Sequence, residues 1–368
     1  MSDNRAISRT LFNKLLDEKG IYHPFYMFVL EHKKELVLCF RGNGNPESIV
    51  IYHNNHKVWE LRGDEDKIGI SFNHARYSEN WEDIRGALDE LGFDVRDKDG
   101  KLIGPDRSDS IGMLYCSCAS DMYCANPEEF VSESYKIVMD MMKDFFAPKK
   151  EIDYDFFKKC YTKYKKNLAE KRWQQKLFND LKYYHTGLFA YDLEFSQPDG
   201  ANQSESNEPD MLALRYKDGI PAAIVLVEVK SLGSACGSRE KSGIESHIKG
   251  MKSYSKSKNI TNRRKEAHYV LQLYKELGLY VKDDQIIPDL DNGLPIECVL
   301  IFTTADLVDI DYKIPSSKSA IQYYLNNKER IDRLVNDKDW CCDVICVGSF
   351  SKNRRYDTKE YHLPLEWK

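Results

Sequence analysis

The most informative stretch of the 368-residue chain is residues 208–231, which read EPDMLALRYKDGIPAAIVLVEVKS. Two runs within it, 211–217 and 222–230, are rich in apolar and β-branched residues, and such runs predict strands. Asp218-Gly219 lies between them and is a dipeptide typical of tight β-hairpin turns. The stretch therefore predicts two antiparallel strands that are neighbours in one sheet.

Charged side chains fall at the end of this predicted hairpin. Side chains two positions apart lie on the same face of a strand, so Glu228 and Lys230 are expected to share a face. The turn lies about midway between Asp210 and Glu228, and this register brings the two strand ends together. We therefore expect Asp210, Glu228 and Lys230 to form one cluster.

Such a cluster has a chemical purpose, because charges are costly in an apolar strand unless they are paired or bind a metal. Magnesium prefers one or two carboxylates together with water and substrate phosphate. Lys230 would orient a water molecule or stabilise charge on the phosphate. The competing interpretation is a surface salt bridge on an edge strand, but the β-branched residues around Glu228 favour a central strand.

The rest of the C-terminal half alternates between helical and strand patterns. Together with the hairpin, this order predicts an α/β sandwich around a mixed sheet. The predicted elements are a helix at 154–184, a strand at 187–196, helices at 244–256 and 263–277, a strand at 298–303, a helix at 317–335 and a strand at 343–349.

The N-terminal part has a different pattern, and Ala147-Pro148-Lys149-Lys150 is a plausible boundary, giving domains 1–147 and 148–368. An α+β module with a sensor, dimerisation or partner-binding role is expected for 1–147, so a homodimer is compatible with the sequence. Its predicted elements are a helix over Ile7–Leu16, a β-rich meander over 22–72 with strands at Tyr26–Leu30, Leu36–Phe40 and Ser48–Tyr52, and helices over 81–92 and 131–146.

Pro209-Asp210 and Glu228-Val229-Lys230, on consecutive predicted strands, resemble the motif of the PD-(D/E)XK nuclease superfamily over about residues 160–305. The resemblance implies a restriction-endonuclease-like αβββαβ core with a mixed central sheet. Members often carry a further acidic residue in the first core helix, where this chain has Glu170. Spacing puts Glu170 on one face with Trp173, Gln174 and Leu177.

The resemblance implies a nuclease that uses Mg²⁺, for which Mn²⁺ can substitute. Asp210, Glu228 and Glu170 would hold the ion, with Gln174 as the alternative to Glu170, and Lys230 would assist catalysis. An exposed helix charge is the competing interpretation of Glu170. DNA is the expected substrate, RNA remains open, and a defence or restriction setting is expected. The alternative function is a module that keeps this fold and binds nucleic acid or protein without cutting.

Nucleic-acid contact must come from local basic patches, because the net charge is −5 and the pI is about 6.0. Lys241 in the loop after the motif, and Lys249 and Lys252 in the next helix, are the residues expected to contact nucleic acid. One basic cluster precedes the motif in sequence and another follows it. The first also fits a solvated helix face and consists of Lys158, Lys159, Lys163, Lys165, Lys166, Lys171 and Arg172. The second favours nucleic-acid contact and consists of Lys249, Lys252, Lys256, Lys258, Arg263, Arg264 and Lys265.

Composition also bears on whether the protein spans a membrane, is exported or contains disulfides. The chain is 42% hydrophobic and 31% charged, with a mean hydropathy of −0.59 and no run of 18 apolar residues, so no membrane span is expected. The polar start lacks the apolar segment of a signal peptide, which predicts a cytoplasmic protein. The ten cysteines are therefore expected to be reduced thiols, and Cys116, Cys118 and Cys124 give a weak zinc signal.

Overall fold

A computed structural model describes the chain in segments. They are residues 6–20, 22–33, 36–42, 47–53, 56–63, 67–72, 95–96, 114–119, 132, 168–183, 187–193, 209–237, 243–256, 260–282, 285–290, 293–303, 319–336, 340 and 342–347. The chain divides into two compact units, Met1–Pro148 and Lys149–Lys368. This division falls within the segment that the sequence marks as a boundary.

The described part of the N-terminal unit combines two helices with an antiparallel sheet. Helix α1 (Arg9–Leu16) is capped by Ser8, whose hydroxyl accepts a hydrogen bond from the Leu11 amide. A second helix, α2 (His23–Glu31), follows. The sheet has the order β1-β2-β3-β4-β6-β5. Its strands are β1 (Leu36–Arg41), β2 (Ser48–His53), β3 (His56–Gly63), β4 (Lys67–Phe72), β5 (Val95–Arg96) and β6 (Leu114–Ala119).

The prediction of a strand at Tyr26–Leu30 is wrong, because this segment lies within α2. A short apolar run has no periodicity that separates a strand from a buried helix. Pro24 lies in the first turn of α2, where a proline stabilises a helix start. Phe25 and Phe28 then pack edge-on against Trp59 of β3, so tertiary packing decides the conformation.

The C-terminal unit is built on a five-stranded mixed sheet in the order β11-β10-β9-β8-β7. The strands are β7 (Leu188–Leu193), β8 (Met211–Lys217), β9 (Ile220–Lys230), β10 (Ile296–Thr303) and β11 (Cys342–Val347). Strands β7, β8 and β9 are antiparallel neighbours, whereas β9, β10 and β11 run parallel. The predicted α/β class with a mixed sheet is therefore confirmed at this level.

Six helices of this unit are described. They are α3 (Leu168–Tyr183), α4 (Gly233–Cys236), α5 (Ile244–Ser255), α6 (Ile260–Glu276), α7 (Ala320–Asn326) and α8 (Lys328–Val335). The single helix predicted over 317–335 is instead divided at Asn327, and α4 interrupts the predicted loop before α5. The helix predicted over 81–92 lies outside the described residues, and of the one predicted over 131–146 only Ser132 is described. None of the described helices is long and apolar enough to cross a membrane.

The hairpin that joins β8 to β9 has the predicted turn. Asp218 and Gly219 both have positive φ, 51° and 77°, as a type I′ turn requires. Met211 pairs with Val227 across the ladder, which leaves Asp210 at the end where Glu228 lies. Strand β9 is the middle strand of the five, so the edge-strand interpretation of Glu228 is wrong.

Candidate metal and phosphate site

Asp210 and Glu228 meet at the end of the β8–β9 hairpin. Asp210 directly precedes β8, and its Oδ2 accepts a hydrogen bond of 2.7 Å from the backbone amide of Val229. Glu228 is 1% exposed and lies among the apolar side chains of β9. The two carboxylates are therefore fixed by the sheet itself rather than by a loop.

Lys230 lies on the same face of β9 as Glu228, as the alternation predicts. Its Nζ is 2.6 Å from Glu228 Oε1, and Lys230 is itself only 4% exposed. A buried ammonium beside a buried carboxylate forms an ion pair that offsets the loss of hydration of both charges. The pair holds the lysine at the strand end.

Glu170 reaches the same place from helix α3. It lies in the first described turn of α3, and its Oε1 is 4.0 Å from Lys230 Nζ. The predicted face of α3 is buried: Trp173 and Leu177 are 2% and 0% exposed. Gln174, the alternative to Glu170, is buried one turn further along that helix. The structure thus brings Glu170, Asp210, Glu228 and Lys230 together.

His247 is a member of the site that the sequence reasoning missed. It lies on α5, and its Nδ1 is 2.8 Å from Glu228 Oε1. The available signal was periodicity, because His247 falls beside the buried stripe of α5 in the helix that follows the motif. That stripe consists of Ile244, Ile248, Met251 and Tyr254.

The charges of Glu228 and Lys230 are stabilised in the ionised form. Burial works to raise the pKa of Glu228, but Lys230 and His247 outweigh it and lower that pKa below its usual value. Burial works to lower the pKa of Lys230, but the carboxylates of Glu228, Glu170 and Asp210 outweigh it and raise that pKa. This pair is therefore charged at neutral pH.

The other two carboxyl groups behave in the opposite way. Burial and then the negative charge of Glu228 raise the pKa of Asp210 well above its usual value. Burial also raises the pKa of Glu170, because the attraction of Lys230 does not fully offset it and Glu228 repels its charge. Three carboxyl groups thus share one lysine, and an added cation would complete their charge balance.

Both carboxylate oxygens of Glu228 are buried, and neither makes a hydrogen bond among the residues that the structure describes. Oε1 has ion-pair contacts with Lys230 and His247, so Oε2 is the oxygen that a cation could approach. Within the same residues, no three His, Cys, Asp or Glu side chains are arranged to hold a metal by themselves. Magnesium differs from zinc here, since it is commonly held by one or two carboxylates with water and phosphate completing the shell. Asp210 and Glu228 are the carboxylates of the described cluster that could contribute to such a shell.

Of the three residues predicted to contact nucleic acid, the two that the structure describes, Lys249 and Lys252, do not join this cluster. Lys241 lies outside the described residues. Lys249 and Lys252 lie about 200° and 140° around α5 from His247, so they are on the opposite side of the helix. The grouping of Arg263 with surface cations is wrong, because Arg263 is 2% exposed and pairs with the buried Glu266. An arginine can be buried when a carboxylate compensates its charge.

Burial raises the pKa of the Cys236 thiol in α4 to about 12. The charges of Lys230, Glu170 and Glu228 also act on this thiol. It is therefore a neutral thiol. Five cysteines in the described part of the chain are reduced thiols outside any disulfide: Cys39, Cys236, Cys298, Cys342 and Cys346. The side chains of Cys116 and Cys118, and the whole of Cys124, lie outside the described structure.

Comparison with known proteins gives no match among protein-family models, curated proteins or solved structures. Functional inference for this chain therefore depends on the geometry and electrostatics of the cluster.

Proposed function

We propose that the C-terminal unit is a magnesium-dependent phosphodiesterase that hydrolyses DNA. One observation carries the proposal. Glu170, Asp210 and Glu228 converge on Lys230 at the end of a central strand, and two of the three carboxyl groups have raised pKa values. A purely structural ion pair needs one carboxylate for one ammonium. The surplus of carboxylates is the expected property of a site that binds a cation.

The fold supports the same class of enzyme. In the C-terminal unit a helix precedes three antiparallel strands, and helices then lead to a fourth strand parallel to β9. The same order of elements is expected for the restriction-endonuclease-like core that the motif resemblance implies. The resemblance and the order of elements together favour a PD-(D/E)XK-like nuclease over other metal-dependent hydrolases.

Each residue has a defined part in the proposed reaction. In hydrolysis a water oxygen bonds to phosphorus, one phosphorus–oxygen ester bond breaks, and the leaving oxygen takes up a proton. Magnesium, when bound, lowers the pKa of water and neutralises charge on the phosphate. Asp210 and Glu228 would hold the ion from adjacent strand ends, and Glu170 would contribute from α3. Lys230 presents its ammonium to the phosphate or the attacking water.

The test is cleavage of single- and double-stranded DNA and RNA by the full chain with magnesium, manganese or a chelator. DNA cleavage is expected with either metal and is lost with the chelator. Asp210→Ala and Lys230→Ala should abolish it while circular dichroism stays unchanged. Asp180→Ala, at a partly exposed position of α3 where the carboxylate pairs with Lys176, serves as the carboxylate control. Undiminished cleavage by a folded Asp210→Ala protein rules the proposal out.

A binding module with the same fold is the second candidate, and one observation favours it. Lys230 and His247 already contact one oxygen of Glu228, and the described residues contain no three-ligand metal group. Such a module would bind nucleic acid or a protein partner equally well with or without the ion. Calorimetric titration with Mn²⁺ separates the candidates, because the enzyme requires saturable metal binding.

A further inference from the structure

The two oxygens of Glu228 have different surroundings. Oε1 is contacted from two directions, by Lys230 Nζ at 2.6 Å and by His247 Nδ1 at 2.8 Å. Both oxygens are buried and neither makes a hydrogen bond within the described segments, so the contacts of Oε1 are ion-pair contacts at short distance. One oxygen is thus anchored, and the other is left for a ligand.

We propose that His247 is a positioning residue that holds Glu228 so that Oε2 faces the cation, and that it thereby sets the affinity of the site for metal. This inference rests on the proposed function. A glutamate side chain has several rotatable bonds, and ordering it for an ion costs conformational entropy. A contact that orders the carboxylate beforehand removes this cost from metal binding. Groups that orient metal ligands are worth about 10–100-fold in metal affinity.

His247 is better suited to this part than Lys230. The lysine has a long flexible side chain, and its charge is needed at the phosphate. The imidazole is rigid, and α5 is held against the protein by its buried stripe, of which Ile244 is 0% and Ile248 3% exposed. The ring therefore gives Oε1 a fixed contact from a second element, and the orientation of Glu228 does not depend on β9 alone.

Asparagine and alanine at position 247 separate positioning from simple packing. The amide nitrogen of asparagine can occupy nearly the place of Nδ1, whereas alanine has no donor. Mn²⁺ affinity is measured on the full chain by calorimetry and by the electron paramagnetic resonance signal of free Mn²⁺. His247→Ala is expected to weaken binding by about 10–100-fold, and His247→Asn by less than about threefold. Ser253→Ala, at an exposed position of the same helix, should leave affinity unchanged.

The kinetic pattern gives a second readout. Because His247 acts through metal occupancy, saturating Mn²⁺ should restore the turnover of His247→Ala to within about threefold of wild type. Equal Mn²⁺ affinity in wild type and His247→Ala overturns the positioning role and leaves the proposed function intact. Equal losses in the alanine and asparagine variants also overturn it. A wild-type chain that binds no Mn²⁺ overturns the proposed function and this role together.

Discussion

Each unit buries a glutamate in a strand, and the two glutamates have opposite surroundings. Glu60 in β3 of the N-terminal unit is 5% exposed. Its Oε2 is 2.7 Å from Lys57 Nζ, and its Oε1 accepts from Ser48 Oγ at 2.9 Å and is 3.0 Å from an Arg62 nitrogen. Both oxygens have partners, and two cations face one carboxylate.

Glu228 in β9 is also buried, but its hydrogen bonds are incomplete and the charges around it are not balanced. Neither oxygen makes a hydrogen bond among the described residues, and two further carboxyl groups compete for Lys230. The comparison teaches that burial of a glutamate does not by itself mark a functional site. An excess of one charge sign and an unused ligand atom distinguish a site for a cation from a structural ion pair.

The largest expected difference between the two glutamates is in catalysis. Glu228→Gln removes a proposed metal ligand and should lower the DNA cleavage rate by about 1000-fold, since metal stabilisation of the transition state is worth several kcal/mol. Glu60→Gln should leave the rate per folded molecule unchanged. Both rates are measured with saturating magnesium at a temperature where both variants are folded. Similar rates for the two variants would remove the distinction on which the proposed function depends.

For the stability of the N-terminal unit, we expect the substitution of Glu60 to have a larger effect than that of Glu228. Glu60→Gln leaves Lys57 and Arg62 without their carboxylate and should cost about 2 kcal/mol, less than for a fully buried pair because both cations are about one third exposed. Burial raises the pKa of Glu60, but Lys57, Arg62 and Ser48 outweigh it and lower that pKa.

A lowered folded-state pKa means that this stability is present above the unfolded pKa of about 4.5 and is lost as the pH falls through the folded value. Scanning calorimetry of the full chain at neutral and acid pH checks both statements. If Glu60→Gln leaves the unfolding transition of the N-terminal unit unchanged, the contacts of Glu60 with Lys57, Arg62 and Ser48 contribute nothing measurable to its stability.

Metal affinity should rise with pH, because the raised pKa values of Asp210 and Glu170 mean that the ion must displace protons. The expected slope is about tenfold per pH unit for each proton displaced, and it flattens above the raised pKa values. Mn²⁺ titrations in two buffers with different ionisation enthalpies measure the protons released. Asp210→Asn should reduce the slope, whereas Glu60→Gln should not change it. A pH-independent affinity in wild type contradicts the assigned protonation states.

The smallest expected effect is a gain in stability. The pKa of Asp210 is raised above its unfolded value of 3.8, so its ionisation lowers stability as the pH rises through the folded pKa. Without metal at neutral pH, Asp210→Asn should therefore stabilise the C-terminal unit by about 1 kcal/mol. With magnesium the wild type should gain stability and the variant should not. The measurement is the melting temperature with and without metal, and a destabilised metal-free variant would contradict the charge imbalance.

The sequence by itself determined the local geometry of the hairpin. Strand alternation placed Glu228 and Lys230 on one face, and Asp218-Gly219 set the turn and thus the register that brings Asp210 to the same end. These features follow from residues close in sequence, because side-chain period and turn dihedrals are local properties. The apolar run before Glu228 also indicated a central strand, which the sheet order confirms.

Only the tertiary structure decided the rest. Tyr26–Leu30 became helix through packing against Trp59, which no local pattern contains. The contact of His247 with Glu228 joins a helix to a strand about 20 residues away, and the burial of Arg263 depends on Glu266 and the elements around it. The raised pKa values of Asp210 and Glu170 likewise need three elements to meet in an apolar environment. Electrostatic interactions act through space, so the sequence supplies the charged groups and the fold alone sets their distances and burial.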